Sequence, residues 1–313
     1  MLKLFNRFNR QVSWQPNLLM CATHGGYNLA PPESSEAIKV DFRGEETTLS
    51  GAVKSIISET IAPHFQDTKS GKAPILRKNF SDFAVSYLMH GIPEDNRAIA
   101  NFSRMLGDPN RAPLEGDDLS PLYREKDFNG IPTLVRSFTK EEQALLKKAY
   151  YDNYREEQIH QKLLKKKELY EKVFLVDIHD TGNTMHALDP EETRTRGSKE
   201  GEKPFPEGIN IGYRGGETCG SDILTFFIQE LRRELKKTKY KSIPISLDEP
   251  YRAGDGTVTH TFGKPEEGIH ALQVEVFRGF LMKEETQDII LPNVKLLQTC
   301  INNAANKTAA FMR

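Results

Sequence analysis

The stretch VFLVDIHD, residues 173–180, decides the fold prediction. Its first six residues are apolar except for Asp177 and rich in β-branched side chains, which is typical of a strand buried on both faces of a parallel sheet. Polar residues, His179 and Asp180, follow directly. Because ligands collect at the carboxyl ends of the strands in open α/β sheets, this stretch predicts a central strand and the position of a site.

Strand and helix patterns alternate on both sides of this stretch. Residues 16–23 predict a short buried strand that ends before His24, and residues 272–282 predict a strand that contains Glu275. Spaced apolar residues predict helices over 49–64, from Ser81 to Tyr87 or Met89, over 138–170, over 221–237, and from 284 or 285 to 310 with an interruption at Pro292. The alternation indicates an α/β fold with a mostly parallel or mixed central sheet flanked by helices.

Size and composition narrow the class of protein. The 313 residues are 37% hydrophobic and 28% charged, which is a globular profile, and we predict a single domain over 1–313 with an N-terminal extension at 1–16 and a surface loop at 189–210. The formal net charge of −1 argues against a nucleic-acid partner, and no apolar run is long enough for a membrane span. Three widely spaced cysteines and no signal-peptide pattern favour the cytoplasm.

Two histidines mark the ends of two predicted strands. His24 and His179 each follow a short apolar run, and a third polar ligand would complete a catalytic zinc site, which uses three protein ligands and one open position. Each histidine could instead hydrogen-bond a loop.

Two carboxylates lie within the same strands. Asp177 shares a strand face with His179, so its carboxylate could hydrogen-bond to that imidazole and orient it. The alternative is that the carboxylate only accepts hydrogen bonds from nearby backbone N–H groups. Glu275 would be costly if buried without a partner, and the alternative is a solvent-facing position at a sheet edge.

Arginines are concentrated in the sequence NFSRMLGDPNR, residues 101–111. The guanidinium fork of Arg104 or Arg111 matches a carboxylate, and the amide of Asn110 lies beside Arg111. This group suits a small anionic substrate, although surface ion pairs would use the same residues. The long Gly-, Pro- and Asp-rich loop over 107–132 is of the kind that often serves function.

Six segments in the right order resemble the N-formylglutamate amidohydrolase family. The resemblance covers roughly residues 17 to 290 and implies a fold of the zinc-exopeptidase (phosphorylase/hydrolase-like) type, similar to zinc carboxypeptidases and aspartoacylases. The segments are THGG at 23–26 with Pro31 downstream, SDFAV at 81–85, SR at 103–104 with DPNR at 108–111, VDIHD at 176–180, PYRAG at 250–254, and GIHALQVEVFR at 268–278.

Several positions depart from the family pattern. The first turn has Gly25 where the family has Ser, Asp180 replaces the Ser after the second His, and Phe277 stands where Asn is frequent. Carboxypeptidase-type sites use His-x-x-Glu, but residue 27 is Tyr, so we assign the acidic ligand to Asp82.

The resemblance implies a metal-dependent amidohydrolase that acts on an N-acyl amino acid such as N-formylglutamate. In that interpretation Zn²⁺ is held by His24, Asp82 and His179, and Glu275 transfers the proton. Asp177 supports the ligands from behind. The residues that would bind the anionic substrate are Arg104, Asn110, Arg111 and Arg278.

Three alternatives stay open. The first keeps the metal and changes the substrate, as in a carboxypeptidase-like or aspartoacylase-like hydrolase. The second is a catalytically silent ligand-binding homologue. The third is nucleic-acid binding through the lysines at 165–167, which alternate with glutamates in the manner of a solvated helix face.

Overall fold

The computed structural model describes residues 13–67, 72–114, 118–186 and 190–313. Most of the predicted N-terminal extension, residues 1–12, lies outside them. The strands are β1 Leu18–Ala22, β2 Lys39–Phe42, β3 Glu45–Thr48, β4 Arg97–Ile99, β5 Val173–Thr181, β6 Thr184–Met185, β7 Arg194–Thr195, β8 Ile209–Gly212, β9 Ile245–Leu247 and β10 Ile269–Phe277.

Six of these strands form one mixed sheet in the order β4-β1-β5-β10-β8-β9. Strands β4, β1, β5 and β10 run parallel to one another, whereas β8 is antiparallel to β10 and parallel to β9. The nine-residue strand β5 lies in the middle and is buried along nearly its whole length. The stretch at 173–180 is therefore the central strand that its apolar pattern predicts, and the predicted α/β class is confirmed.

Helices cover both faces of this sheet, and each face packs a hydrophobic core. Thr139 and Glu142 form the capping box expected at the start of the longest helical region, which runs through a π-helix, Lys147–His160. The α-helices are α1 Leu49–Thr60, α2 Pro63–Gln66, α3 Lys72–Asn79, α4 Val85–Leu88, α5 Lys140–Leu146, α6 Gln161–Leu169, α7 Ser221–Leu235, α8 Val258–Phe262 and α9 Leu291–Phe311.

Side chains alternate between the two faces of the sheet along each strand, and this alternation decides which polar side chains of β5 lie on the same face. In β5, Phe174 and Val176 belong to the core under α7 and α9, whereas Val173 and Leu175 belong to the core under α1 and the π-helix. Successive side chains of a strand point to opposite faces, so Asp177 and the following histidine share the second face. Register pairs His179 with Glu275 on the neighbouring strand β10.

Three predicted elements have boundaries that differ from the structure. The loop assigned to 189–210 ends earlier, because Ile209 and Asn210 are fully or almost fully buried in β8. This strand, INIG, has only four residues and ends in a glycine, so it is too short for its period to show. The C-terminal helix begins at Leu291 rather than near 284, and Pro292 does not interrupt it. Proline is tolerated in the first turn of a helix because the N–H that it lacks has no helical partner there.

The strand assigned to 272–282 is β10, which begins earlier, at Ile269, and ends at Phe277. Within the residues that the structure describes, we find no helix with the length and apolarity that a membrane crossing requires.

Candidate active site

A cavity of about 500 Å³ opens at the carboxyl ends of β1, β5 and β10. Eight of the nine residues singled out from the sequence line it, although they come from strand ends and loops far apart in the chain. They are His24, Asp82, Arg104, Asn110, Arg111, His179, Glu275 and Arg278. The ninth, Asp177, is completely buried behind the cavity wall.

Two histidines and one aspartate meet in this cavity. The Nδ1 atoms of His24 and His179 lie 3.3 and 2.8 Å from the same oxygen, Oδ2 of Asp82. One ligand atom from each of the three residues falls within 4.8 Å of the others, and all three side chains are buried. Asp82 reaches this position because its N–H donates to the carbonyl oxygen of His24, which joins the two turns.

The other nitrogen of each imidazole contacts a buried carboxylate. His24 Nε2 lies 2.8 Å from Asp108 Oδ1, and His179 Nε2 lies 2.9 Å from Asp177 Oδ2. Carboxylates placed behind histidines fix the ring orientation and increase ligand basicity at metal sites. This donor set fits a divalent metal such as zinc, because two imidazole nitrogens and a carboxylate oxygen converge and leave one coordination position for substrate or water.

Burial and neighbouring charges together determine the pKa values of the residues in the cluster. Burial alone would raise the pKa of Asp82, but contacts with His179 and His24 outweigh it and hold that pKa below its usual value. Burial lowers the pKa of His179, yet Asp177 and Asp82 reverse the effect and raise the pKa well above normal. These shifts favour an ionised Asp82 beside a protonated His179.

Asp177 belongs to a chain of side-chain contacts that starts on the π-helix. Its Oδ1 accepts a 2.5 Å hydrogen bond from Thr23, whose hydroxyl lies 3.2 Å from that of Tyr154. Side chains, rather than the backbone N–H groups of the alternative interpretation, therefore satisfy this carboxylate.

Glu275 lies on a central strand and is 6% exposed, so the alternative of an exposed edge position is wrong. Thr181 donates to its Oε2 at 2.8 Å, and Gln273 donates to its Oε1 at 2.7 Å. Burial raises the pKa of Glu275, despite the opposing charge of His179. This carboxyl group is thus oriented, faces the cavity and has a proton affinity above that of a free glutamate.

Arg278 is held by the turn that follows His179. Its Nε pairs with Asp180, and its Nη2 donates to the carbonyl oxygen of Ser81 at 2.8 Å and lies 3.7 Å from Asp82. Burial raises the pKa of Asp180 to about 7 even though Arg278 opposes the shift. Arg278 thereby links the two turns that carry Asp82 and His179, in addition to facing the cavity.

The two arginines of the 101–111 segment differ in their partners. Arg104 directs Nε and Nη2 to Asp108, so this ion pair occupies part of the fork that was expected to bind substrate. Within the described residues, the only hydrogen bond of the Arg111 guanidinium goes to the carbonyl oxygen of Asn110, 3.2 Å away. Arg111 is therefore the freer of the two for an anionic ligand.

Asn110 has a structural contact of its own. Its Oδ1 accepts a 2.9 Å hydrogen bond from the N–H of Val258, which joins the 108–111 turn to the start of α8. The amide nitrogen of Asn110 is the part of this side chain that remains for substrate.

Sequence reasoning missed several groups at the site. Asp108 lay inside a quoted motif but received no role, although its spacing of four residues from Arg104 could have suggested the ion pair. Arg124 lines the cavity from the 107–132 loop, which was expected to be functional. Arg196 and Tyr251 also line it, with a hydrogen bond of 2.8 Å between them, but no local pattern distinguishes Arg196 from a surface residue.

A family model and two solved structures match this chain. The family model described as N-formylglutamate amidohydrolase matches residues 57–282, more than two thirds of the chain, including Asp82, His179 and Glu275. His24 lies before the matched region. No curated protein matches the sequence significantly.

Two solved structures share the fold. The crystal structure of N-formylglutamate amidohydrolase from Ralstonia eutropha is 18% identical, with 97% of this chain and 96% of that chain covered and a TM-score of 0.62. A gene product of Agrobacterium tumefaciens is 11% identical, with coverages of 96% and 92% and a TM-score of 0.56. At the level of fold, these two structures therefore match almost the whole length of the chain.

Proposed function

We propose that this chain, which belongs to the N-formylglutamate amidohydrolase family, is a metal-dependent hydrolase of small N-acyl amino acids. N-formylglutamate is the substrate that we expect it to prefer. The observation that carries the proposal is the convergence of His24, Asp82 and His179, each imidazole backed by a carboxylate, on a cavity that also contains Glu275. The products are the free amino acid and the acyl carboxylate, formate for a formyl substrate.

His24, Asp82 and His179 would hold the metal, which we propose to be Zn²⁺. When bound, it would act as a Lewis acid on the acyl carbonyl and lower the pKa of water enough for attack near neutral pH. Asp177 and Asp108 hold the two imidazoles in the orientation that presents Nδ1 to the site.

In this proposal Glu275 moves the proton. One carboxylate oxygen accepts a proton from the attacking water, and the same group delivers it to the amide nitrogen as the C–N bond breaks and the amine leaves. Thr181 and Gln273 each hold one oxygen of the carboxylate, so the group is oriented before substrate arrives. Burial raises its pKa, which makes the group a better proton acceptor than a free glutamate.

Arg111 would bind the carboxylate of the substrate, with Asn110 beside it and Arg104 and Arg278 adding positive charge to the cavity. An arginine fork free of an ion pair can bind a carboxylate through two parallel hydrogen bonds. We therefore expect an anionic, N-acylated amino acid to bind better than its neutral amide.

A substrate panel tests this function. Zinc-loaded protein is assayed for amine release from formyl-, acetyl- and aspartyl-type N-acyl amino acids and from peptides with a free C-terminus, with E275Q as the matched inactive control. Release from the formyl substrates that is absent in E275Q supports the proposal. Hydrolysis of only the peptides would favour the carboxypeptidase-like alternative, and no hydrolysis with stoichiometric zinc would favour the silent homologue.

We place this reaction in the cytoplasm and expect neither a nucleic acid nor a membrane as partner. Support comes from the three buried cysteines, Cys21, Cys219 and Cys300, none of which forms a disulfide, and from the balanced charge.

A further inference from the structure

The π-helix Lys147–His160 contacts two segments that carry site residues, the 23–29 stretch around His24 and the 108–111 turn. Tyr154 reaches Thr23, Tyr150 donates to the carbonyl oxygen of Leu29 at 3.0 Å, and Tyr151 donates to that of Arg111 at 2.9 Å. π-Helical turns within longer helices occur frequently at functional sites. Here the segment directs four polar side chains, those of Tyr150, Tyr151, Tyr154 and Arg155, toward the loops around the cavity.

Arg155 is the most unusual of these side chains. It is 4% exposed, and among the residues that the structure describes no carboxylate lies within ion-pair distance of it. Its Nη1 instead lies 3.2, 3.0 and 2.8 Å from the backbone carbonyl oxygens of Pro109, Arg111 and Gly256. Its Nη2 donates to the hydroxyl of Thr261.

A buried cation without a counterion is costly, and burial lowers the pKa of Arg155. The three carbonyl dipoles offset part of this cost, and the guanidinium carbon also lies 5.2 Å from the ring centroid of Tyr151 and 5.4 Å from that of Phe262. A neutral apolar side chain would fill this space without that cost. The presence of a charged guanidinium at this position therefore indicates that Arg155 is needed to order the three backbone carbonyl groups.

The carbonyls belong to two loops that meet at the cavity. Arg111 lines it from one loop, and Gly254 and Thr257 line it from the other. The loops are so close that a Cβ on Gly256 would lie 2.6 Å from the backbone nitrogen of Ala112. Arg155 donates to both loops through one nitrogen atom, so it acts as the cross-link that sets their separation.

We propose that Arg155 is a positioning residue that fixes the 108–111 turn against the 254–261 segment and thereby places Arg111 to bind the substrate carboxylate. The inference rests on the proposed role of Arg111 in binding. It predicts that loss of Arg155 weakens substrate binding more than it slows the chemical step. Glu275, Asp82 and His179 are held by contacts outside this turn, and Asp108, which supports His24, is also held by Arg104.

The test compares R155M, R155K and R233M, the last being an exposed control arginine. R155M removes all the donors, whereas R155K keeps a positive charge and one nitrogen that can donate to several carbonyls. For R155M we expect KM to rise about tenfold or more and kcat to change less than about threefold, because uniform binding is lost. R155K should recover part of the affinity, and R233M should match the wild type.

Backbone hydrogen exchange provides a readout that needs no substrate. In R155M the amides of 108–114 and 254–263 should exchange faster while those of β5 and β10 are unchanged, and R155K should exchange more slowly than R155M. If R155M does not fold, R155K decides the matter: unchanged exchange in both segments together with an unchanged KM would overturn the proposal.

The two readouts separate this inference from the proposed function. If the wild type hydrolyses no N-acyl amino acid, the proposed function fails, and faster exchange of the two segments in R155M would still support the positioning role. If the wild type is active and R155M changes kcat alone, with both segments exchanging normally, the positioning role is wrong.

Discussion

The two walls of the cavity are built in different ways. On one wall, His179 and Glu275 belong to neighbouring strands and face each other through the register of the sheet. On the other wall, Asn110 and Arg111 lie on a turn whose position depends on hydrogen bonds that it accepts from Arg155 and from the N–H of Val258. The strand wall carries the groups proposed for chemistry, and the loop wall carries those proposed for substrate binding. Changes on the first should therefore affect turnover or the metal, and changes on the second should affect KM.

The largest effect is expected from removing a metal ligand on the strand wall. H179A leaves one histidine and Asp82 in the cluster, which is too few for a stable catalytic zinc site. Bound metal, measured by elemental analysis after dialysis, should fall from one per chain to near zero, and activity should fall to background. H90A changes an exposed histidine and should retain both; full zinc stoichiometry in H179A would remove that residue from the ligand set.

The second-largest effect is expected on kcat, when the proposed base Glu275 is replaced. E275Q is nearly isosteric: its amide oxygen can still accept from Gln273, and its NH2 group can donate to the hydroxyl of Thr181, so folding and metal content should survive. Without the base, kcat should fall by about 10²–10⁴-fold with little change in KM. Because burial raises the pKa of this group and the ionised form is the base, the wild-type rate should fall as pH drops through that pKa, and the E275Q profile should lose this limb.

A different pattern would reassign the base. If E275Q keeps most of its activity while D177N or D180N abolishes it without metal loss, the proton transfer belongs to the turn around His179 and not to β10.

A smaller effect is expected behind the strand wall. D177N keeps the volume of the side chain but weakens the support of His179 Nε2, which lies 2.9 Å from the carboxylate. Loss of such a supporting carboxylate typically lowers metal affinity by about 10–100-fold. Competition with a chelator measures this affinity, and D222N, which changes an exposed aspartate at the start of α7, is the control. Equal affinity in D177N and the wild type would contradict the supporting role.

The smallest of these effects is expected on the loop wall. R111K keeps the charge and loses the planar fork, so KM for the preferred substrate should rise about tenfold, which corresponds to about 1.4 kcal/mol. kcat should stay close to the wild-type value, and R233K serves as the control. If KM and kcat are both unchanged for every active substrate, Arg111 does not bind the carboxylate.

The contrast between the walls also explains what could be predicted from the sequence. The apolar runs that end at His24 and His179 mark buried strands, and parallel strands bring their carboxyl ends together, so these histidines were predictable as neighbours. Asp82 lies on no strand, and only the resemblance to a family suggested it. The structure brings its carboxylate to both imidazoles through a turn-to-turn backbone contact.

The loop wall was harder to predict because long-range contacts determine it. Nothing near Arg155 in the sequence indicates that its guanidinium reaches carbonyls 44 and 101 residues away. Arg104 was expected to bind substrate, and its pairing with Asp108 shows that a local motif does not reveal which partner an arginine takes. The short strand β8 was missed for a similar reason, since its burial comes from its neighbours β10 and β9 rather than from its own pattern.

The central claim is that the His24–Asp82–His179 cluster holds a metal on which amide hydrolysis depends. It is tested most directly by stripping the wild-type protein with a chelator, adding zinc back in steps, and measuring bound zinc and amine release from N-formylglutamate on the same samples. We predict that activity is absent in the stripped protein, rises in proportion to bound zinc and saturates at one zinc per chain. Full activity in protein that retains no metal would contradict the claim.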